Sequence, residues 1–223
     1  MGYSTRIKNL ACRVILGRHF VARGPGEREA IAITFDDGPH PQHTPALLDL
    51  LESHGARGTF FLIGEFAQAR PDIVRRMVAA GHEIGNHSMR HQAFASMATE
   101  RQIAEIAEAE RVLAGFDGRD SHWFRPPQGR VTPRMLLELG RRRHSVAMWS
   151  LDSFDYRGHG VETILRRFES RRVAPGEVVL FHDDNACTVE ALAKLLPAWR
   201  ERGFAFPTLS ELVSGDGPLG EKT

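Results

Sequence analysis

At 223 residues, 42% of them hydrophobic and 26% charged, the chain is long enough to bury one substantial core without disulfides or a partner. A formal net charge of +1 gives no global field for nucleic acid, and its two cysteines, Cys12 and Cys187, have neither metal-ligand spacing nor a disulfide framework. No apolar run approaches the roughly 20 residues of a membrane span, and Arg13 interrupts the apolar stretch at residues 10 to 16, so the expectation is a cytoplasmic protein without a signal peptide.

Residues 1 to 27 read as an arm. Ile7, Leu10 and Val14 recur there at helical spacing among Arg6, Lys8, Arg13 and Arg18. That pattern suits a helix that plugs the bottom of a barrel, or one that makes weak contact with an anionic membrane from its inner face. From about residue 28, short apolar runs alternate with amphipathic stretches, as parallel strands do with their covering helices. The first strand, residues 30 to 33, opens into Thr34-Phe35-Asp36-Asp37-Gly38-Pro39, two adjacent carboxylates followed by turn residues. Thr44-Pro45 opens a helix with apolar Leu47, Leu48 and Leu51 that closes at Gly55, and residues 59 to 63 form the next strand. A helix over residues 71 to 80 ends at Gly81, and residues 82 to 86 form the strand that delivers His87-Ser88-Met89-Arg90-His91.

Thr99 and Gln102 form a capping-box pattern ahead of a long helix carrying Ile103, Ile106, Ala107 and Val112. Strands near 144 to 149, 177 to 182 and 203 to 206 then alternate with helices near 132 to 140, 160 to 172 and 187 to 202, the last capped within Asp183-Asp184-Asn185. Arg141 to Arg143 and Arg166-Arg167 read as solvated helix faces, and residues 213 to 223 as a tail. About seven strands result, and the residues alone leave a doubly wound sheet open beside a barrel.

An aspartate pair is costly to desolvate unless a metal or a cation sits beside it. His87 and His91 are spaced to reach one ion, and one Asp with two His makes a three-ligand set with open positions, as in hydrolytic metal centres. Arg125, Asp152, Asp155 and His182 also fall just after apolar runs. In a β/α barrel the strand ends of one rim converge, and active sites are built there.

Taken in order, Thr-Phe-Asp-Asp-Gly at Asp36 and Asp37, His-Ser-x-x-His at His87 and His91, Arg-x-Pro-x-Gly at Arg125, Pro127 and Gly129, the run Asp152-Ser153-Phe154-Asp155-Tyr156, and Leu180-Phe181-His182 resemble five ordered motifs. They are those of polysaccharide deacetylases, the NodB homology domain of carbohydrate esterase family four. The resemblance covers roughly residues 28 to 212 and implies an α/β fold, a distorted (β/α) barrel of about seven parallel strands in a single domain. It implies a metal-dependent hydrolase that removes N-acetyl groups from amino sugars in an oligosaccharide, polysaccharide or glycolipid.

On that reading Asp37, His87 and His91 hold one divalent ion, zinc first, with cobalt, manganese or iron accommodated by the same donors. Asp36 is the general base, kept ionised and aimed by Arg125. His182 is the general acid, its pKa raised and its tautomer fixed by Asp155. The resemblance also makes the backbone amide of Gln128 an oxyanion donor, and Leu180 forms an apolar wall for the acetyl methyl. Tyr156 replaces the tryptophan that usually ends the fourth motif, and Gln128 an aromatic of the third, so both alter the pocket walls. Phe154 and Tyr156 are the sugar-stacking candidates, His40 and His43 rim the pocket, and Trp123 and Trp149 are assigned to the core. The competing classes are a hydrolase of non-sugar amides, a deacylase of a lipid-linked amino sugar, and a sugar-binding protein without catalysis, which would lack a reactive residue; none is missing.

Overall fold

The computed structural model describes residues 3–91 and 94–215; the predicted tail beyond residue 215 lies outside the described residues. Five parallel strands run in the order β4 (Glu83–Asn86), β3 (Gly58–Leu62), β2 (Ala32–Asp36), β7 (Val178–His182), β6 (Leu151–Asp152). A second parallel pair joins β1 (Phe20–Val21) to β5 (Val146–Ala147). Phe124 links the two sheets through single bridges to Asn86 on one side and Val146 on the other. Because β5 and β6 are two halves of one segment, the pairing that leaves β6 returns at β5, and the sheet closes into a distorted barrel.

The alternation of β2 explains what fills this barrel. Ile31, Ile33 and Phe35 face outward into the largest cluster, beneath α2 (His43–Ser53), α4 (Pro71–Ala79), α7 (Val161–Ser170) and α8 (Ala186–Glu201). Ala32, Thr34 and Asp36 face inward, and their small or polar side chains leave room for the wholly buried guanidinium of Arg125, which lies 3.9 Å from the Phe61 ring centroid. Parallel strands buried on both faces read as continuous apolar runs, which is why β2, β3 and β7 were visible in the sequence.

Several expected elements take a different form. Residues 203 to 206 contribute one bridge, Ala205 to Ala30, rather than a strand. The predicted arm supplies β1, and Leu151–Asp152 adds a strand in what reads as a loop. Thr99 does not cap α5 (Thr99–Asp117): it lies within the first turn, and the cap position is Ala98. Thr44 does not cap α2 either, since its buried hydroxyl donates to Asp183 Oδ2 at 2.6 Å. The capping box sits instead at α9 (Leu209–Ser214), where Thr208 and Glu211 bond reciprocally. The short α3 (Gly64–Ala69) carries no periodic signal; it forms where Gly64 lets the chain approach Met89, which a Cβ would meet at 2.6 Å.

The N-terminal helix α1 (Tyr3–Leu16) packs along α6 (Pro133–Arg141), but not through the predicted stripe. Cys12 and Leu16 are the buried positions, in a cluster with Met135, Leu136 and Leu139, while Leu10 and Val14 are 63% and 76% exposed. Leu10 and Val14 therefore take no part in an apolar plug, and the side chain of Ile7, the third position of that stripe, lies outside the described residues.

Candidate active site

The C-terminal ends of β2, β4, β6 and β7 and the turn after Phe124 converge on one cleft of about 270 Å³. Asp36, Asp37, His87, His91, Gln128, Gly129, Trp149, Asp152, Tyr156, Leu180 and His182 line it. Arg125 and Asp155 are buried beneath it. All ten predicted site residues are therefore brought together.

Asp37 is the hub of the metal-type set. Its Oδ1 lies 3.4 Å from His87 Nε2 and 3.3 Å from His91 Nε2, and one ligand atom from each of the three residues falls within 4.8 Å of the others. That oxygen is buried without a hydrogen-bond partner. His87 Nδ1 sits 2.7 Å from the Arg125 carbonyl, which can only accept, so the proton is on Nδ1 and the lone pair of Nε2 faces Asp37. An orphaned carboxylate oxygen beside an oriented imidazole lone pair fits a cation. Burial works to raise the Asp37 pKa, but the imidazoles of His87, His91 and His182 outweigh it and bring it down to about 2. Burial likewise opposes charge on His87, yet Asp36 and Asp37 raise its pKa, a sign of the negative field at this point.

Asp36 points the other way. Arg125 Nη1 donates to its Oδ1 at 2.7 Å and to Thr34 Oγ1 at 2.8 Å, while Nε and Nη2 donate to the carbonyls of Ala147 and Met148 at 3.3 and 3.2 Å. A guanidinium fixed by four acceptors leaves Asp36 Oδ2 directed to the cleft, 3.8 Å from His87 Nε2.

Across the cleft, His182 Nδ1 is 2.8 Å from Asp155 Oδ1, and Asp155 Oδ2 accepts from the His182 amide at 2.7 Å and from Thr188 Oγ1 at 2.6 Å. Burial disfavours the charged imidazole, but the bond to Asp155 and its charge, reinforced by Asp36 and Asp37, push the His182 pKa up to about 9. His182 Nε2 faces inward, 4.0 Å from Asp37 Oδ2. Asp152 also lines the cleft, and its Oδ1 accepts from the Phe154 amide at 2.9 Å.

Five of the six described non-glycine residues with positive φ belong to these motifs: Asp37, Ser88, His91, Gln128 and Phe154. The turn at Pro127–Gly129 puts Gln128 at φ 56° on the cleft wall, and Gly129 abuts Trp149 so closely that a Cβ there would lie 2.7 Å from the indole.

Some assignments change. Trp149, expected in the core, packs against a core cluster and also lines the cleft, while Trp123 packs against the same cluster. Phe154, expected to stack sugar, lies behind Tyr156 under the guanidinium groups of Arg157 and Arg167 and does not line it; Tyr156 does. His40 and His43 stack on each other at 4.3 Å and are not among the lining residues. Two supports were not read as such: Asn86 carried no assignment, and Asp183 was grouped with Asp184 and Asn185 as the cap of α8, a place that Asn185 alone takes. Asn86 accepts from the Ser88 amide at 2.9 Å and donates to Glu110 and the Ile106 carbonyl, holding the histidine loop. Asp183 is buried behind Gly38, and burial lifts its pKa to about 7. The motif spacing held no signal for either.

The family model described as Polysaccharide deacetylase matches residues 23–144. A peptidoglycan-N-acetylglucosamine deacetylase of Bacillus cereus is 36% identical over 194 residues, 85% of this chain and 90% of its own length. A chitooligosaccharide deacetylase of Sinorhizobium fredii is 35% identical over 198 residues, 82% and 91% of the two chains. The crystal structure of a peptidoglycan N-acetylglucosamine deacetylase superposes with a TM-score of 0.83 at 32% identity, covering 88% of this chain and 93% of the other. With the fold shared along nearly its whole length and the five motifs meeting at one rim, this chain belongs to the polysaccharide deacetylase family.

Proposed function

We propose that the protein is a metal-dependent hydrolase that removes N-acetyl groups from amino sugars in an oligosaccharide, polysaccharide or glycolipid. One observation carries the reading: a three-donor set centred on the orphaned Asp37 Oδ1 lies between a carboxylate fixed by arginine and an imidazole fixed by carboxylate. Asp37, His87 and His91 would hold a divalent ion, which when bound supplies a Lewis acid for the acyl oxygen and lowers the pKa of water.

The chain's own residues account for the rest. Asp36 Oδ2, with Oδ1 tied to Arg125, takes a proton from the attacking water, whose oxygen joins the acyl carbon. The amide of Gln128 is presented to the developing oxyanion by the left-handed turn. As the C–N bond breaks, His182 Nε2 gives its proton to the leaving amine, while Asp155 holds Nδ1 and the resulting tautomer. Acetate and the free amino sugar result. Leu180 and Trp149 offer an apolar wall to the methyl group, and the half-exposed Tyr156 offers a ring to the sugar at the rim.

The relatives' names support an N-acetylated amino sugar as substrate, in a cell-wall polymer or a chitin-type oligomer. The test is free acetate, with mass spectrometry of the products, after incubating the metal-loaded protein with chitooligosaccharides, peptidoglycan fragments, lipid-linked amino sugars and simple acetamides. Acetate is expected from N-acetylated glycans, with chelation stopping release and added divalent metal restoring it. Release from simple acetamides alone would move the assignment to non-sugar amides, and no release from any of them would leave a binding protein.

A further inference from the structure

The first acidic residue of the chain is Glu27, and the 26 residues before it carry Arg6, Lys8, Arg13, Arg18 and Arg23. The fold gathers part of this charge in one strip. Arg13, Arg18 and Arg23 line a shallow groove with Asn9, Leu10 and Phe20. Among the described residues neither Arg13 nor Arg18 has an ion-pair partner, whereas on the neighbouring α6 Arg134 pairs with Glu100 and Arg141 with Glu138.

Beside the groove stands an apolar ridge. Leu10 and Val14 on α1 point to solvent, Ile15 is 37% exposed, and Leu137 on α6 is 51% exposed. These are four of the five exposed large hydrophobic residues described, and the fifth, Tyr156, belongs to the catalytic cleft. No helix among the described residues is long and apolar enough to cross a membrane, so a contact made here would be peripheral.

Charge and apolarity together select the partner. Nucleic acid would reward the arginines but not an aliphatic ridge, and a second copy of this chain would set one cationic strip against another at a two-fold interface. An anionic bilayer answers both, through phosphates at the surface and acyl chains just beneath. We propose that α1 docks this protein on an anionic phospholipid surface, with Leu10 and Val14 entering the acyl boundary and Arg13 and Arg18 at the headgroup phosphates.

The full chain is tested by flotation with vesicles of phosphatidylcholine alone and of phosphatidylcholine mixed equally with phosphatidylglycerol, over a series of salt concentrations. The expected result is flotation with the anionic vesicles at low salt, loss of it as salt rises, and none with the neutral ones. Leu10→Ser with Val14→Ser should lower the partition about tenfold or more, and Arg13→Gln and Arg18→Gln about fivefold for each arginine removed. Both pairs are exposed, so the variants should melt like the parent. The proposal is overturned if the parent does not float with anionic vesicles, or if both double variants float as well as it does. It is also overturned if sedimentation shows a dimer that Leu10→Ser with Val14→Ser dissolves, since the ridge then belongs to a second copy. None of these readouts depends on the hydrolase reading.

Discussion

Asp36→Asn is expected to bind divalent metal like the parent and to turn over about 10²–10⁴-fold more slowly. The substitution keeps an oxygen for Arg125 Nη1, which lies 2.7 Å from Asp36 Oδ1, but removes the group that accepts a proton. It also leaves a wholly buried guanidinium without its counter-charge, so the variant should melt lower; breaking a buried pair costs about 3–5 kcal/mol. Asp37→Ala gives the opposite signature. It deletes the only anion of the three-donor set, leaves two imidazoles, and should purify without stoichiometric metal. Elemental analysis with single-turnover kinetics separates the roles of these neighbours. Normal metal in Asp37→Ala together with an empty Asp36→Asn would exchange the two assignments.

Asp155→Asn should move the alkaline limb of the rate profile to lower pH by about 1–3 units, with metal content unchanged. His182 acts in its protonated form, and Asp155 is the main support of that form, through the 2.8 Å contact to Nδ1. Removing the charge makes the imidazolium easier to deprotonate, so the acid is exhausted at a lower pH. A cation held by Asp37 would also lower the His182 pKa, but equally in parent and variant, so the direction stands. An unmoved limb in a folded, metal-loaded variant rejects the pairing. Stability follows the same sign. A histidine raised from its ordinary 6.5 to about 9 contributes stability fully below about pH 6.5, and that contribution is lost as pH rises through about 9. In Asp155→Asn this loss should set in at lower pH.

The reactive residues were legible because each stands where an apolar run stops, and a parallel barrel gathers such ends at one rim. Their supports were not, because they join distant points of the chain: Thr44 to Asp183, Thr188 to Asp155, Asn86 to Glu110. The cleft-lining face of Trp149 was not legible because its run looks like one continuous strand, whereas the ladder breaks between β5 and β6 and residues 148 to 150 pass between the two pairings. Phe204, Ala205 and Phe206 are buried, but their packing into the core clusters yields the same apolar signature as strand pairing, and only Ala205 makes a bridge. On α1, periodicity disclosed an amphipathic helix without saying which of two apolar stripes turns inward; α6 decides by receiving Cys12 and Leu16.

The left-handed residues of the catalytic rim set a limit on what heat-based selection can do for this protein. Backbone held at positive φ costs a side-chain-bearing residue about 1–2 kcal/mol, and glycine escapes most of that cost. Three of those positions, 88, 128 and 154, carry side chains whose local conformation glycine would adopt with less strain. A library sorted only for survival at high temperature would drift toward glycine there and yield sturdier proteins with a slackened rim. Breeding a durable catalyst from this chain therefore requires scoring turnover in every round, and drawing the gains from helices far from the rim.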